Sequence, residues 1–214
     1  MTYGLAFLRG KAAAGFLLIA SPVCAEPVTV LALGDSLTQG YGLVQEDGFV
    51  PQLGRWLAEA GEDVQMINGG VSGDTTAGGA ARVRWSLTPE VDVMIVALGG
   101  NDLLRGIDPA VSRANLDMIL SIAAEENMPV LLVGLQAPGN YGPDYKAAFD
   151  SIYPELAEAY GTTYFENFFA GLNDSSLETQ MEFFQADGIH PNAQGVTRIV
   201  ESLGPVVQQL VTLD

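Results

Sequence analysis

Val28-Thr29-Val30-Leu31-Ala32-Leu33-Gly34-Asp35-Ser36-Leu37-Thr38-Gln39-Gly40 is the stretch that decides how this chain folds. An apolar run of strand length, Val28 to Leu33, stops abruptly at a glycine and a polar turn. The same unit recurs: Val64 to Asn68, Val91 to Leu98 and Val130 to Leu135 also read as strands ending at Gly or a polar turn, with a short fifth near Thr163 to Glu166. Between them, Phe49 to Ala60, Thr75 to Ser86, Pro109 to Asn127 and Tyr145 to Ala159 space their apolar residues as helices do, and a last helix runs from about Asn192 to Leu210. Strands that are apolar nearly throughout must be covered on both faces, which implies a parallel sheet between two helical layers. The expected fold is therefore a three-layered α/β domain. In open sheets of this type ligands bind beyond the carboxyl ends of the strands, so the loops after each strand are where chemistry is to be sought.

With 214 residues, 48% hydrophobic residues and a mean hydropathy of +0.23, the chain supplies one well-buried core. Residues 1–25 are expected to stand apart from it. Arg9 and Lys11 precede the apolar run Ala12 to Ala20, and Val23 and Ala25 fit a small-x-Ala cleavage pattern, so this segment reads as a secretory signal peptide ahead of a single domain over 26–214. The run is shorter than the roughly 20 apolar residues that span a bilayer, so no stable membrane anchor is expected. Ser21-Pro22-Val23 is a poor lipobox for Cys24, the sole cysteine. Cleavage also removes two of the nine basic residues and none of the 26 acidic ones, taking the net charge from −17 to −19. So acidic a surface repels nucleic acid phosphates and anionic membranes, and neither is expected as a partner. The destination is the periplasm or the exterior, and a monomer is expected.

The unusual residues cluster in the strand-end loops. Ser36 follows the first strand near the start of a helix, where it reads either as a helix cap or as a nucleophile. It is not a G-x-S-x-G elbow, because Thr38 stands at the second glycine position, and Gly-Lys-Ser/Thr of a P-loop is missing. A nucleophilic serine needs a base, and the chain contains one histidine, His190, within Asp187-Gly188-Ile189-His190-Pro191-Asn192. Asp187 is placed to curl back on the imidazole and fix its tautomer. Taken alone, a lone histidine is more often a surface or satisfied core residue. Oxyanion donors are available in Gly69-Gly70-Val71-Ser72-Gly73-Asp74-Thr75 and Gly99-Gly100-Asn101-Asp102: the N–H of Gly73, the side-chain amide of Asn101, and the N–H of Ser36 itself. Each loop alone also reads as an ordinary glycine turn.

Together these four blocks resemble those of the SGNH (GDSL) hydrolase superfamily, in its order and over nearly the whole chain after the leader. Gly34-Asp35-Ser36-Leu37 resembles the first block, Gly73 the second-block glycine, Asn101 the asparagine of Gly-x-Asn-Asp, and Asp187-x-x-His190 the last block. Ser72-Gly73-Asp74-Thr75, Asn140-Tyr141-Gly142 and Asp187-Gly188-Ile189-His190-Pro191 are similar to the bacterial periplasmic group of acyl-CoA thioesterases, lysophospholipases and arylesterases. The resemblance implies a flavodoxin-like sandwich of five parallel strands, a metal-free triad of Ser36, Asp187 and His190, and broad acceptance of short- to medium-chain acyl esters. Composition agrees on metal: with one His and no Cys after the leader, a zinc site of nitrogen and sulfur ligands is not expected, and no EF-hand pattern occurs. No cofactor is expected.

The implied partner is a small acyl ester or thioester. Leu103-Leu104 and Pro138-Gly139-Asn140-Tyr141 are expected to border the acyl groove, with Asp35 and Ile189, neighbours of Ser36 and His190, completing the candidate substrate-binding set. Leu103 and Leu104 read equally as loop packing. Two other functions compete: a carbohydrate O-acetyl esterase, which an apolar rim suits less well, and a catalytically silent periplasmic binding module on the same fold.

Overall fold

β1 (Val28–Gly34) is buried from Thr29 onward, and it lies between two parallel partners. β2 (Val64–Gly70) pairs on one side with Gly34 opposite Gly70, and β3 (Val93–Ala97) on the other with Gly34 opposite Ala97. β4 (Val130–Val133) and β5 (Thr163–Phe165) continue the sheet, giving the order β2-β1-β3-β4-β5, parallel throughout. This is the expected five-stranded α/β/α sandwich. The computed structural model describes Met1 and residues 26–173 and 180–212, so the expected leader at 1–25 and Cys24 fall outside the described residues apart from Met1.

Two helical layers cover the sheet. On one face α2 (Phe49–Glu59) packs against the last helix, α8 (Ala193–Val211). Phe49, Leu53 and Leu57 stand one turn apart on α2 and are buried with Ile199, Leu203 and Val207 of α8. On the other face lie α3 (Thr76–Ser86), α5 (Pro109–Glu125), α6 (Pro143–Asp150) and α7 (Ile152–Tyr160). The sequence predicts one helix over Tyr145 to Ala159, whereas the structure breaks it at Ser151. Continuing α6 would require an N–H from Pro154 to the Asp150 carbonyl, and proline has none to give.

Two further short helices start directly at strand ends: α1 (Ser36–Gln39) after β1 and α4 (Gly100–Leu104) after β3. The chain leaves β1 toward β2 and then crosses back to β3, so β1 and β3 flank the topological switch point. A crevice opens there between loops that diverge to opposite faces.

Candidate active site

Gly34 ends β1 and lets α1 turn sharply across it. A methyl at this position would collide with Thr38 Oγ1 and the Ala97 carbonyl oxygen, so only glycine allows α1 to lie this close to the sheet. The carbonyl of Gly34 accepts from Val71 N at 3.1 Å and from Arg82 Nη2 at 2.8 Å. Arg82 also pairs with Asp74 at 2.8 Å, tying the loop after β2 to the end of β1. The cap of α1 is Asp35, whose carboxylate accepts the Leu37 N–H at 3.0 Å. Ser36 is therefore the first helical residue rather than the cap, which leaves its N–H among the donors that have no intrahelical partner.

Ser36 Oγ lies 2.8 Å from His190 Nε2, and His190 Nδ1 lies 2.7 Å from Asp187 Oδ2. The other oxygen of Asp187 accepts the N–H groups of Ile189 at 2.9 Å and His190 at 3.0 Å, a turn made possible by Gly188 at φ 68°. The His190 side chain and those two N–H groups hold the Asp187 carboxyl down at about 2, so it is ionised whenever the imidazole needs an acceptor. With Nδ1–H donating to Asp187, Nε2 is the basic nitrogen facing the serine hydroxyl.

The histidine loop is anchored at several points. Gln185 donates its N–H to the His190 carbonyl at 2.8 Å and its side-chain amide to the carbonyls of Tyr41 at 2.8 Å and Pro191 at 3.0 Å. The Tyr41 ring packs on the imidazole with centroids 4.6 Å apart. Asn192 then caps α8 by accepting from Gly195 N at 3.0 Å.

From the β3 side, Asn101 Nδ2 donates to Asp35 Oδ2 at 3.3 Å. Its neighbour Asp102 is fully buried and accepts from Thr76 N at 2.9 Å, Thr76 Oγ1 at 2.6 Å and Ser112 Oγ at 2.9 Å, which locks α4 to the starts of α3 and α5. Burial pushes the Asp35 carboxyl up to about 6, against the Leu37 N–H, the Asn101 amide and the charge of His190.

A cleft of about 360 Å³ opens over Ser36 and His190, a size that suits a small organic ligand. Asp35, Ser36, Asn101, Leu103, Leu104, Asn140, Tyr141, Ile189 and His190 line it, so of the residues expected to border the groove only Gly139 does not reach this crevice. Gly73 does not line it. Its backbone sits at φ 86° and its carbonyl accepts from Arg105 Nη2 at 2.8 Å, next to Leu104 of the cleft wall. Leu37, Leu135, Gln136, Pro138 and Phe169 complete the wall. Of these, Gln136 and Phe169 follow β4 and β5, so the strand-end rule was signal enough to find them. Tyr41, Gln185 and Arg105 carried no comparable signal. Among the described residues no group of three or more His, Cys, Asp or Glu is placed to hold a metal ion.

Comparison with known proteins agrees with this geometry. A profile for the GDSL-like Lipase/Acylhydrolase family matches residues 32–198. The chain is 39% identical over 184 residues to "Esterase TesA" of Pseudomonas aeruginosa, covering 86% of this chain and 89% of that protein. It is 33% identical over 201 residues to "Thioesterase 1/protease 1/lysophospholipase L1" of Escherichia coli K12, covering 93% and 92%. The crystal structure of AlinE4, described as an SGNH-hydrolase family esterase, superposes with a TM-score of 0.72 at 39% identity over 87% of this chain and 97% of its own. On the matched blocks, the shared fold and the extent of these alignments, the chain belongs to the GDSL-like lipase/acylhydrolase family.

Proposed function

We propose that this enzyme hydrolyses carboxylic esters and thioesters of short- to medium-chain acyl groups through an acyl-enzyme on Ser36. The observation that carries the reading is the continuous line from Asp187 to His190 to Ser36, with contacts of 2.7 and 2.8 Å. His190 Nε2 takes the proton of Ser36 as Oγ attacks the acyl carbonyl, and Asp187 stabilises the imidazolium that results. The oxyanion is held by the N–H of Ser36, the N–H of Gly73 and the side-chain amide of Asn101. His190 returns the proton to the departing alcohol or thiol, and water then repeats the sequence to release the acid. Because the reaction needs neutral imidazole, kcat/KM falls on acidification.

The mostly apolar wall of Leu37, Leu103, Leu104, Leu135, Pro138, Tyr141, Phe169 and Ile189 supports an acyl chain over a sugar as the bound group. The "thioesterase" and "lysophospholipase" in the name of the Escherichia coli relative support including thioesters and lysophospholipids. Arg9, Lys11 and the apolar run after them support export with cleavage near Glu26, leaving one hydrolase domain over 26–214. No helix among the described residues is long and apolar enough to cross a membrane.

The test is a chain-length series of p-nitrophenyl esters against acetylated xylan, run on the protein beginning at Glu26. Preference for butyrate or longer esters, lost in Ser36→Ala, is the expected result. Preference for the sugar acetate would overturn the substrate class, and turnover that survives Ser36→Ala would overturn the mechanism.

A further inference from the structure

Asp35 is the one carboxylic acid among the residues lining the cleft, and the proposed reaction leaves it without a task. It is 2% exposed, and both of its carboxylate oxygens are engaged. Oδ1 accepts the Leu37 N–H at 3.0 Å and Oδ2 accepts an Asn101 amide hydrogen at 3.3 Å. Gly100 closes over the same Oδ2, where an added Cβ would stand 3.2 Å away. A helix cap alone does not call for this: Ser, Thr or Asn caps a helix without burying a charge. Two separate donors reaching one short side chain, however, require an acceptor oxygen for each. Aspartate has both. Asparagine has one oxygen and would turn an NH2 group toward a donor, and a protonated carboxyl likewise converts one oxygen into an O–H donor.

The partner that gains is Asn101. Its amide carries two hydrogens, and fixing one on Asp35 sets the plane of the carboxamide and the direction of the other. Resting on the ester-hydrolase reading above, we propose that Asp35 is a positioning residue for the oxyanion: its carboxylate holds the Asn101 amide so that the second hydrogen meets the acyl oxygen at Ser36, and only the ionised form does so. Asp35 thus acts through Asn101 and does not contact the substrate.

The groups facing Asp35 come from every surrounding element. They are the Leu37 N–H of α1, Arg82 of α3 on the neighbouring Gly34 carbonyl, Asn101 and Asp102 of α4, the Tyr153 hydroxyl of α7, and His190 of the loop before α8. Burial outweighs the groups that favour the anion, and the carboxyl titrates at about 6. As pH falls through that value Asp35 gains a proton, Asn101 loses its acceptor, and the rate falls. The acid limb of kcat/KM therefore carries two ionisations, those of Asp35 and His190.

The experiment compares log kcat/KM against pH for p-nitrophenyl butyrate in wild type, Asp35→Asn, Asn101→Ala and the double variant, with a melting curve for each. The wild-type acid limb is expected to be steeper than a slope of one over the pH range in which Asp35 gains its proton, and to have a slope of one throughout in both single variants. Above the limb, Asp35→Asn lowers kcat by about 10- to 100-fold, less than complete loss of an oxyanion donor, with KM changed far less. The double variant is no slower than Asn101→Ala, as expected for two residues acting as one unit. Unchanged kcat in Asp35→Asn, or losses that multiply in the double variant, would overturn the proposal. If Asp35→Asn does not fold, the Asn101→Ala profile decides: a slope of one throughout supports the proposal, and a limb that steepens as in wild type contradicts it. Wild-type protein without esterase activity, or activity that survives Ser36→Ala, sinks the ester-hydrolase reading and this proposal with it, whereas additive losses sink the proposal alone.

Discussion

Ser36 stands on the end of a buried central strand, whereas His190 stands on a loop whose residues 186–189 are all exposed. The serine side is built from the core outward. Gly34 touches α1 and β3, Arg82 reaches its carbonyl from α3, and Asp102 binds α4 to α3 and α5. The histidine side is built from local turns: Asp187 gathers two N–H groups and the imidazole within its own four residues, and Gln185 fastens the loop to Tyr41 and Pro191. Positioning the nucleophile is thus part of folding, while positioning the base is a separate, local matter. Substitutions on the two sides should differ accordingly in how far activity and stability move together.

The largest effect is expected where the two sides meet. Ser36→Ala should lower kcat by more than about 10⁴-fold and leave stability within about 0.5 kcal/mol, as read by ester turnover and chemical denaturation. Next comes a pair of substitutions that sharpens the contrast. Asp187→Asn should lower kcat by about 10² to 10⁴-fold by disturbing the tautomer of His190, with a loss of stability smaller than that of the glycine variant because the carboxylate is exposed. Gly34→Ala should lower both, costing about 1–3 kcal/mol because Thr38 and the Ala97 carbonyl must yield before a methyl fits. Gly34→Ala with full stability, or Asp187→Asn that unfolds the protein, would erase the distinction between the sides.

The two carboxylates of the site also titrate in opposite directions, and the signs follow from their shifts. Asp187 is lowered from 3.8 to about 2, so its contribution to stability is present above about 4 and is lost as pH falls through 2. Asp35 is raised from 3.8 to about 6, so the folded state holds that proton more tightly and stability declines as pH rises from about 4 to 6. Denaturant midpoints between pH 4 and 7 should show that decline in wild type and less of it in Asp35→Asn. An identical pH dependence in the two proteins would contradict the assignment. The smallest effect is expected from Gln185→Ala, which removes the side-chain bonds to Tyr41 and Pro191: about 1 kcal/mol or less of stability, together with a several-fold loss of kcat from a looser imidazole. Loss of stability without loss of rate would show that the histidine loop does not depend on this anchor.

The contrast between the two sides also explains what was legible in the sequence. β1, β3 and β4 stand out because burial on both faces makes them apolar throughout, and the glycines that end β1 and follow β3 mark where α1 and α4 begin. The break at Ser151 was missed because the apolar spacing of Phe149, Ile152, Tyr153 and Leu156 continues across it, even though Pro154 forbids the bond that a continuous helix needs. α1 and α4, at four and five residues, are too short to show a helical period. In the site, the motif residues announce themselves by type and by their place after a strand. Their supports do not: Gln185 reaches Tyr41 across 144 positions and Arg105 reaches Gly73 across 32, and nothing in the local sequence of either marks the pairing. The dual engagement of Asp35 was equally invisible, since it arises only when α4 folds back over α1.

The most direct test of the central claim is where a serine-directed alkylphosphonate attaches. Peptide mass spectrometry of the treated wild-type enzyme should place a single adduct on the peptide carrying Ser36, formed in step with loss of esterase activity, absent in Ser36→Ala and slowed in Asp187→Asn. An adduct on another serine, or complete loss of activity with Ser36 unmodified, would contradict an acyl-enzyme on Ser36 and the triad built around it.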